Sequence, residues 1–137
     1  MRKLIFRAFC KNTKEPIPDF MEEYTMSVLD GSPYNPFLYS QWTGLTDRTG
    51  TEIFESDIAE MEAVMVYPDG YGDSAEIDRL YIGEVVILPS KGVCLRNPKV
   101  IDRNEGNKTW KYKGYKTLAA YRSRVIGNVF QNMELIK

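Results

Sequence analysis

The chain has 137 residues, the size of one ordinary domain, and 43% of them are hydrophobic, which favours a packed core over a disordered tail. It contains no histidine and only two cysteines, so histidine-based catalytic triads and Cys/His zinc sites are excluded. No apolar run approaches the roughly 20 residues of a membrane helix, and the first residues lack a signal-peptide pattern. We therefore expect a cytoplasmic protein with no membrane partner.

The formal net charge of −1 conceals three blocks of different sign. Residues 1–14 contain five basic residues and no acidic one, residues 15–84 have a net charge of −14, and residues 96–124 have a net charge of +7. One interpretation is that the ends of the chain pair with its middle, which leaves a mixed surface. The other is a molecule with one basic and one acidic side, which would bind nucleic acid or stack on copies of itself.

Alternation of apolar residues, typical of β-strands, dominates the first half of the chain. The stretch "KLIFRAF" predicts an N-terminal strand over residues 3–10, followed by a weak helix signal in "PDFMEEYTMSVL" and a variable loop over residues 30–40. Residues 41–61 predict a hairpin with two tight turns. In the first turn Gly50 supplies a positive φ, and in the second Asp57 accepts open backbone N–H groups.

The second half continues this pattern, with clusters of Gly, Pro, Asn and Asp between short apolar runs. It predicts a variable loop over residues 67–79 and a C-terminal strand over residues 124–131. Further strands are predicted at 64–67, 80–88, 92–95 and 109–116, and weak helix signals occur at 117–124 and 132–136. Together these elements predict a mainly β chain, an antiparallel barrel or sandwich with one or two short helices. No repeat or linker divides residues 1–137, so we expect a single domain.

The basic block contains the stretch "NKTWKYKGYKTLAAYRSR", in which cations and aromatic rings alternate. Cations that follow a phosphate backbone and rings that stack on bases are the two parts of a single-strand binding groove, so one interpretation is a nucleic-acid interface. The candidate contact residues are Lys108, Trp110, Lys111, Tyr112, Lys113, Tyr115, Lys116, Arg122 and Arg124. The other interpretation is structural, because in a strand Trp110 and Tyr112 share one buried face and Lys111 and Lys113 share the solvated face.

Carboxylates are the remaining candidates for chemistry, and five of them crowd one segment. They are Glu52, Glu55, Asp57, Glu60 and Glu62. Such a cluster binds Mg²⁺ or Ca²⁺, or supplies a paired acid and base, when its spacing is right. This spacing matches no established calcium loop, and a strand would place Glu60 and Glu62 on one outward face. The sequence therefore favours a solvated acidic face, with no metal site, cofactor or catalytic residue.

The stretch "QWTGLTDRTGTEIFESDI" resembles the signature of the YopX family, proteins encoded by bacteriophages and prophages. The start "MRKLIFRAF" and the end "VIGNVFQNMEL" are also similar to that family's opening and closing motifs. The sequence departs from the family pattern at four positions: Phe9 replaces Trp, Cys10 replaces Asp, Ser56 replaces Gly and Met133 replaces Pro. The signature residues are Trp42, Gly44, Asp47, Gly50, Glu55, Asp57, Gly127 and Asn128.

The resemblance implies a mostly β, barrel-like fold with features of small SH3-like barrels, and a phage or prophage gene expressed in the cytoplasm of a bacterial host. It implies no enzymatic activity. The first hypothesis is a non-enzymatic accessory protein that forms a homo-oligomer and acts on a phage or host protein. The second is a nucleic-acid-binding small β-barrel that uses residues 108–124. The third is a carboxylate-based, metal-dependent enzyme.

Overall fold

The computed structural model describes residues 5–17, 37–68, 70–72 and 74–137. Within these ranges the chain forms ten strands and two 3₁₀ helices, the latter at Ala120–Arg122 and Met133–Ile136. The strands are β1 (Phe6–Cys10), β2 (Pro16–Ile17), β3 (Phe37–Thr46), β4 (Glu52–Phe54), β5 (Asp57–Pro68), β6 (Ser74–Leu88), β7 (Gly92–Asp102), β8 (Lys108–Lys111), β9 (Tyr115–Thr117) and β10 (Ser123–Asn128).

The strands form two antiparallel sheets. The first has the order β2-β1-β3-β4, and the second has the order β10-β5-β6-β7-β8, with β9 also paired to β7. Neither sheet closes into a barrel in the described part of the chain. The predicted mainly β, antiparallel fold is therefore confirmed, as two sheets with short helical turns.

The core forms where alternate residues of the second sheet meet β4. Its buried members are Ile53, Ala59, Met61, Tyr81, Val85, Leu95, Val100 and Leu118. On β5, the buried residues Ala59 and Met61 alternate with the more exposed Glu60 and Glu62, as the pleat of a strand requires. The core therefore lies on one side of β5, and the glutamates lie on the other side.

The sheet edge that pairs with β7 is interrupted at Pro98, which is itself a residue of β7. A Cβ atom on Gly83 would lie 3.2 Å from the Cα atom of Pro98, so glycine allows the two strands to approach closely here. Asn97 has a positive φ of 42°, and its N–H donates to the carbonyl oxygen of Gly114 over 2.7 Å. The predicted strand at 109–116 is therefore split into β8 and β9, which pair with different parts of β7.

Several predicted boundaries are wrong. The loop predicted at 30–40 includes residues 37–40 of β3, which pair with β1, while residues 30–36 lie outside the described ranges. The loop predicted at 67–79 is mostly strand, because β5 reaches Pro68 and β6 begins at Ser74. Its turn residues are concentrated at the end of the hairpin, which the sequence does not distinguish from a longer loop.

The predictions for residues 117–136 agree more closely with the structure. The strand predicted at 124–131 ends at Asn128, because the side chain of Asn128 accepts backbone N–H bonds from Phe130 and Gln131, each over 3.0 Å. Short 3₁₀ helices confirm the helix signals at 117–124 and 132–136. The helix signal in "PDFMEEYTMSVL" lies outside the described residues.

Candidate functional site

The hairpin of β5 and β6 projects beyond both of its neighbours. β10 pairs with β5 only from Asp57 to Met61, and β7 pairs with β6 only from Arg79 to Leu88. β5 and β6 nevertheless remain paired with each other as far as Pro68 and Ser74. We call residues 62–68 and 74–78 the arm.

The arm presents apolar side chains to solvent. Met65 is 59% exposed and Val66 is 63% exposed, and Tyr71 in the turn is 91% exposed. A two-stranded ribbon is at best marginally stable by itself in water, and contiguous exposed apolar residues typically mark an interaction site. Sequence reasoning missed this surface, although the run of apolar residues at Val64, Met65 and Val66 lacks the polar face that a half-buried strand would have.

The two edges of the arm differ. On the β6 edge, the N–H of Arg103 donates to the carbonyl oxygen of Asp78 over 2.9 Å, and the side-chain amide of Asn104 donates to the carbonyl oxygen of Glu76 over 2.7 Å. On the β5 edge, β10 stops at Met61, and no other described backbone pairs with residues 62–68 there. The β5 edge of the arm is therefore open within the described ranges.

The predicted nucleic-acid residues are divided among four elements and one bend. Lys108, Trp110 and Lys111 belong to β8, Tyr115 and Lys116 belong to β9, and Tyr112 and Lys113 lie in the bend between them. Arg122 ends the first 3₁₀ helix, and Arg124 lies in β10 on the opposite edge of the sheet. The structure therefore brings the lysines of β8 and β9 to one sheet edge and separates Arg124 from them.

Cations of the same chain lie over some of the aromatic rings of this region, while Tyr112 and Tyr121 remain 43% and 72% exposed. Arg79 lies 5.4 Å from the ring centroid of Trp110, Lys91 lies 5.8 Å from that of Tyr115, and Lys116 lies 5.1 Å from that of Tyr81. A ring face occupied in this way does not offer a stacking platform for a base. Trp110 also packs against the core, which agrees with the structural interpretation of this residue.

A groove of about 170 Å³ lies at the base of the arm. Aliphatic side chains of the arm, including Met65 and Ile77, form one wall, and Arg79, Lys116 and Arg122 bring positive charge to the other. Arg79 is paired with Asp102 over 3.5 Å. Within the described part of the chain, Arg122 is the one arginine without a carboxylate partner within 4.0 Å.

On the other side of the second sheet, the charge blocks neutralise one another. Ion pairs join Arg124 to Glu60 (2.8 Å), Glu60 to Arg48 (4.0 Å), Arg48 to Glu62 (3.4 Å), Glu62 to Arg103 (3.8 Å) and Arg103 to Asp78 (2.6 Å). Arginines of the basic C-terminal block thus pair with carboxylates of the acidic middle block. This geometry favours the interpretation of a mixed surface over that of two oppositely charged sides.

The signature segment forms a junction between the two sheets, centred on Asp57 at the start of β5. The carboxylate of Asp57 is paired with the guanidinium of Arg7 over 2.5 Å and accepts the N–H of Phe54 over 2.8 Å. Arg7 also donates to the hydroxyl of Ser40 over 2.7 Å, and its guanidinium lies 4.7 Å from the ring centroid of Phe54. The predicted role of Asp57 as an acceptor of backbone N–H bonds is confirmed, and the sequence did not predict its partner Arg7.

The two aspartates of the junction have shifted pKa values of opposite sign. Burial raises the pKa of Asp57 above its ordinary value, although Arg7 acts in the other direction. Burial also acts to raise the pKa of Asp47, but hydrogen bonds from Thr49, Val125 and Thr51 outweigh it and lower the pKa. Both carboxylates therefore serve as acceptors within the fold rather than facing a cleft.

The turns of the signature need unusual backbone angles. Gly50 has a φ of 88°, which confirms the predicted turn, and Ser56 has a φ of 72° where the family pattern has glycine. The N–H of Ser56 donates to the carbonyl oxygen of Val85, and its carbonyl oxygen accepts the N–H of Val129, each over 2.9 Å. These two bonds, one to β6 and one from the residue that follows β10, stabilise a conformation that a serine rarely adopts.

The other signature residues also contribute to the architecture. Gly44, with a φ of 85°, lies at the register shift between β3 and β4, which follows the pair of Trp42 with Phe54. The N–H of Glu55 donates to the carbonyl oxygen of Gln41 over 2.7 Å. A Cβ atom on Gly127 would lie 2.6 Å from the side-chain oxygen of Asn132, so only glycine fits there without rearrangement.

The acidic segment does not converge on one point in the described residues, and no group of three or more Cys, Asp or Glu side chains there has the arrangement of a metal site. Asp57, Glu60 and Glu62 are instead paired with arginines. Cys94 is buried, as an apolar residue would be. Cys10 is only partly buried, and hydrogen bonds with Thr13 lower the pKa of its thiol.

No helix in the described ranges is long and apolar enough to cross a membrane. Residues 5–137 match the family model described as YopX protein. Among the curated proteins, none matches the chain. Among solved structures, the crystal structure of protein EF1440 from Enterococcus faecalis is similar to it, with 18% sequence identity, 100% of each chain covered and a TM-score of 0.49.

Proposed function

The chain belongs to the YopX family, and we propose that it is a non-enzymatic accessory protein of a phage or prophage that self-associates through the arm in the bacterial cytoplasm. The observation that supports this proposal is the projection of an apolar ribbon past both neighbouring strands, with Met65 and Val66 more than half exposed. Burial of apolar surface stabilises association by roughly 25 cal/mol per Å² before the cost of ordering is subtracted.

A non-enzymatic role is supported by the state of the charged side chains. The chain has no histidine. Three carboxylates of the acidic segment, those of Asp57, Glu60 and Glu62, are held by arginines or by a backbone N–H group. A carboxylate whose oxygens are occupied by an arginine or a backbone N–H group is poorly placed to take a proton from a substrate. These contacts stabilise the fold and leave the arm as the surface for binding.

The test is the molar mass of the protein in solution, measured by light scattering at micromolar concentration and at two ionic strengths. We expect the wild type to associate at both ionic strengths, since apolar contacts are not screened by salt. Met65→Lys should abolish association. Met133→Lys is the matched control, because Met133 is 48% exposed and lies outside the arm.

Two outcomes would contradict the proposal. A wild-type protein that is monomeric under both conditions would refute self-association. Association that is present at low salt and absent at high salt would instead indicate stacking through oppositely charged surfaces.

The lysines on the edge formed by β8 and β9 support a second candidate function, the binding of nucleic acid. No described lysine forms an ion pair with a described carboxylate within 4.0 Å, so Lys113 retains its charge for phosphates, while the ammonium of Lys111 donates to the carbonyl oxygen of Ile136. Because Trp110 packs against the core and lies under Arg79, this binding would rest mainly on contacts with the phosphate backbone.

Fluorescence anisotropy with single-stranded and duplex oligonucleotides tests the second candidate. Binding to phosphates alone predicts affinities that fall steeply with salt and that weaken more in Lys113→Ala than in Lys11→Ala, where an exposed lysine outside the block is removed. No binding of either oligonucleotide at low salt would exclude this function. The lysines would then serve to protect a sheet edge from pairing with other chains.

A further inference from the structure

We propose that the open β5 edge of the arm pairs antiparallel with the same edge of a second copy, so that the second sheets of the two copies become one continuous sheet across a two-fold axis. This inference rests on the proposed function, and it identifies both the partner and the register. It begins from the backbone, because residues 62–68 of β5 have a neighbour on only one side within the described ranges. Unpaired N–H and C=O groups along an exposed strand are a template for another strand.

Two other edges of the sheet are protected, and this contrast supports the open β5 edge as the one that pairs. The edge formed by β8 and β9 consists of strands of four and three residues, interrupted by Gly114 and bearing four lysines between residues 108 and 116. Short strands and lysines are the devices by which proteins prevent pairing at an edge. On the arm, the β6 edge is covered by hydrogen bonds from Arg103 and Asn104.

The ends of the open segment determine the register. It begins after Met61, where β10 stops, and it ends at Pro68, where β5 ends. An antiparallel two-fold pairing that uses the whole segment must be centred on its middle residue, Met65. Val64 of one copy then lies opposite Val66 of the other, which is the kind of apolar cross-strand pair that stabilises a sheet by about 0.2–1 kcal/mol.

The distribution of charge supports a second copy as the occupant. In this register Glu62 lies opposite Pro68, so no like charges face each other across the two strands. Glu62 is already paired with Arg48 and Arg103 in its own copy and brings little uncompensated charge to the contact. The same edge serves both copies, so the association closes at a dimer instead of growing into a filament.

The end of β10 adds a complementary charge. Arg122 immediately precedes Ser123, which pairs with Met61 at the point where the open edge begins. The second copy's strand would end beside this point, and the sequence that follows its Pro68 is acidic, with Asp69 and Asp73 before the next strand. An arginine without a described carboxylate partner therefore lies beside the end of the second copy's strand.

Site-specific disulfide formation tests the register. In a Cys10→Ser background, Met65→Cys should give a covalent dimer under mild oxidation at micromolar concentration, because the two-fold axis passes beside residue 65 and the paired Cβ atoms lie about 4.5–5.5 Å apart. The matched control is Met133→Cys in the same background, which should remain monomeric on a non-reducing gel. Cys94 is buried and is left in place.

Light scattering of the Cys10→Ser parent separates the failure of this inference from that of the proposed function. A dimeric parent with a residue-65 crosslink at least tenfold more abundant than the residue-133 crosslink supports the pairing. A dimeric parent whose two variants crosslink equally, or not at all, overturns the pairing and leaves self-association standing. A monomeric parent overturns both.

Discussion

The junction and the arm occupy opposite ends of the same strand, β5, and they differ in how their surfaces are satisfied. At the junction, Asp57 is 1% exposed and its oxygens have donors in Arg7 and Phe54. Eight residues along the strand, Met65 is 59% exposed and its edge lacks a neighbouring strand among the described residues. At one end of β5 the polar groups are satisfied within the fold, while at the other end, among the described residues, apolar side chains and backbone groups are left exposed.

Among the tests of this contrast, the replacement of Asp57 by alanine should change the free energy of unfolding most. We expect Asp57→Ala to lower the free energy of unfolding by about 3 kcal/mol, because it leaves the Arg7 cation without its partner and the Phe54 N–H without an acceptor. The sequence alone predicts about 1–2 kcal/mol, the cost of a lost hydrogen-bond partner. Denaturant titration followed by intrinsic fluorescence would measure the change.

Glu55→Ala is the control for this measurement. Glu55 is an acidic residue two positions away that contributes its backbone N–H to the turn, so loss of its side chain should change the free energy of unfolding by less than about 0.5 kcal/mol. Equal effects of the two substitutions would show that the junction does not depend on the Asp57 carboxylate.

The replacement of Asp47 by asparagine should have a smaller effect that depends on pH. One oxygen of Asp47 accepts the N–H groups of Thr49 and Thr51, and the other accepts the N–H of Val125 over 2.9 Å. Asparagine would place an NH₂ group against one of these donors, which should cost about 2 kcal/mol at neutral pH. Because β10 is tied to the junction through Val125, the loss should also weaken the attachment of that strand.

The sign of the pH dependence follows from the lowered pKa of Asp47. Its folded pKa lies below the ordinary value of 3.8, so its stabilisation is fully present above the unfolded pKa and is lost as the pH falls through the folded pKa. Unfolding curves from pH 7 to pH 2 should therefore converge for the wild type and Asp47→Asn. A constant difference over that range would mean that the charge of Asp47 contributes nothing.

The ion-pair network beside the arm should contribute less than either aspartate. Arg124→Ala removes the 2.8 Å contact with Glu60, but the side chain of Arg124 is half exposed, and exposed pairs contribute roughly 0.2–1 kcal/mol. We expect a loss of free energy of unfolding in that range, which diminishes as salt is raised to about 1 M. A loss that salt leaves unchanged would point to packing of the arginine stem instead of charge.

Much of the junction was predictable from sequence, and the arm was not. Gly50 and Asp57 carry turn chemistry that acts over a few residues, and such local signals can be read directly. The partner of Asp57 is 50 residues away, and no local pattern specifies which cation it will meet. A strand was predicted at 64–67, but the β6 half of the arm was mistaken for part of a loop, because the turn residues at 68–74 indicate that the chain reverses and do not indicate where the flanking strands lose their neighbours.

The arrangement of the basic block could also be predicted only in part from the sequence. Alternation of cations and rings from Lys108 to Arg124 is visible in the sequence, but the split into β8 and β9 depends on Asn97 and Pro98 in another strand. The cations that cover the rings, such as Arg79 and Lys91, are also distant in sequence. Composition therefore identified the residues without showing that cations of other elements lie over the rings of Trp110 and Tyr115.

The smallest expected change in the free energy of unfolding is that of a substitution in the arm, and it tests the arm most directly. Val66→Thr replaces an exposed methyl group with a hydroxyl of similar size, and at a concentration below that of association it should change the free energy of unfolding by no more than about 0.5 kcal/mol. Val85→Thr makes the same substitution at a residue that is fully buried in the core and should cost about 1–3 kcal/mol, since the hydroxyl has no partner there.

At higher protein concentration the two substitutions should differ in how the melting temperature depends on concentration. Association stabilises the folded state in proportion to the logarithm of partner concentration, so the melting temperature of the wild type should rise with concentration. In Val66→Thr this rise should be reduced, because the altered residue lies in the proposed contact, whereas Val85→Thr should melt at a lower temperature and keep the same slope. If Val66→Thr instead destabilised the dilute protein as much as Val85→Thr does, the arm would be part of the folding core, and its exposed surface would not be available to a partner.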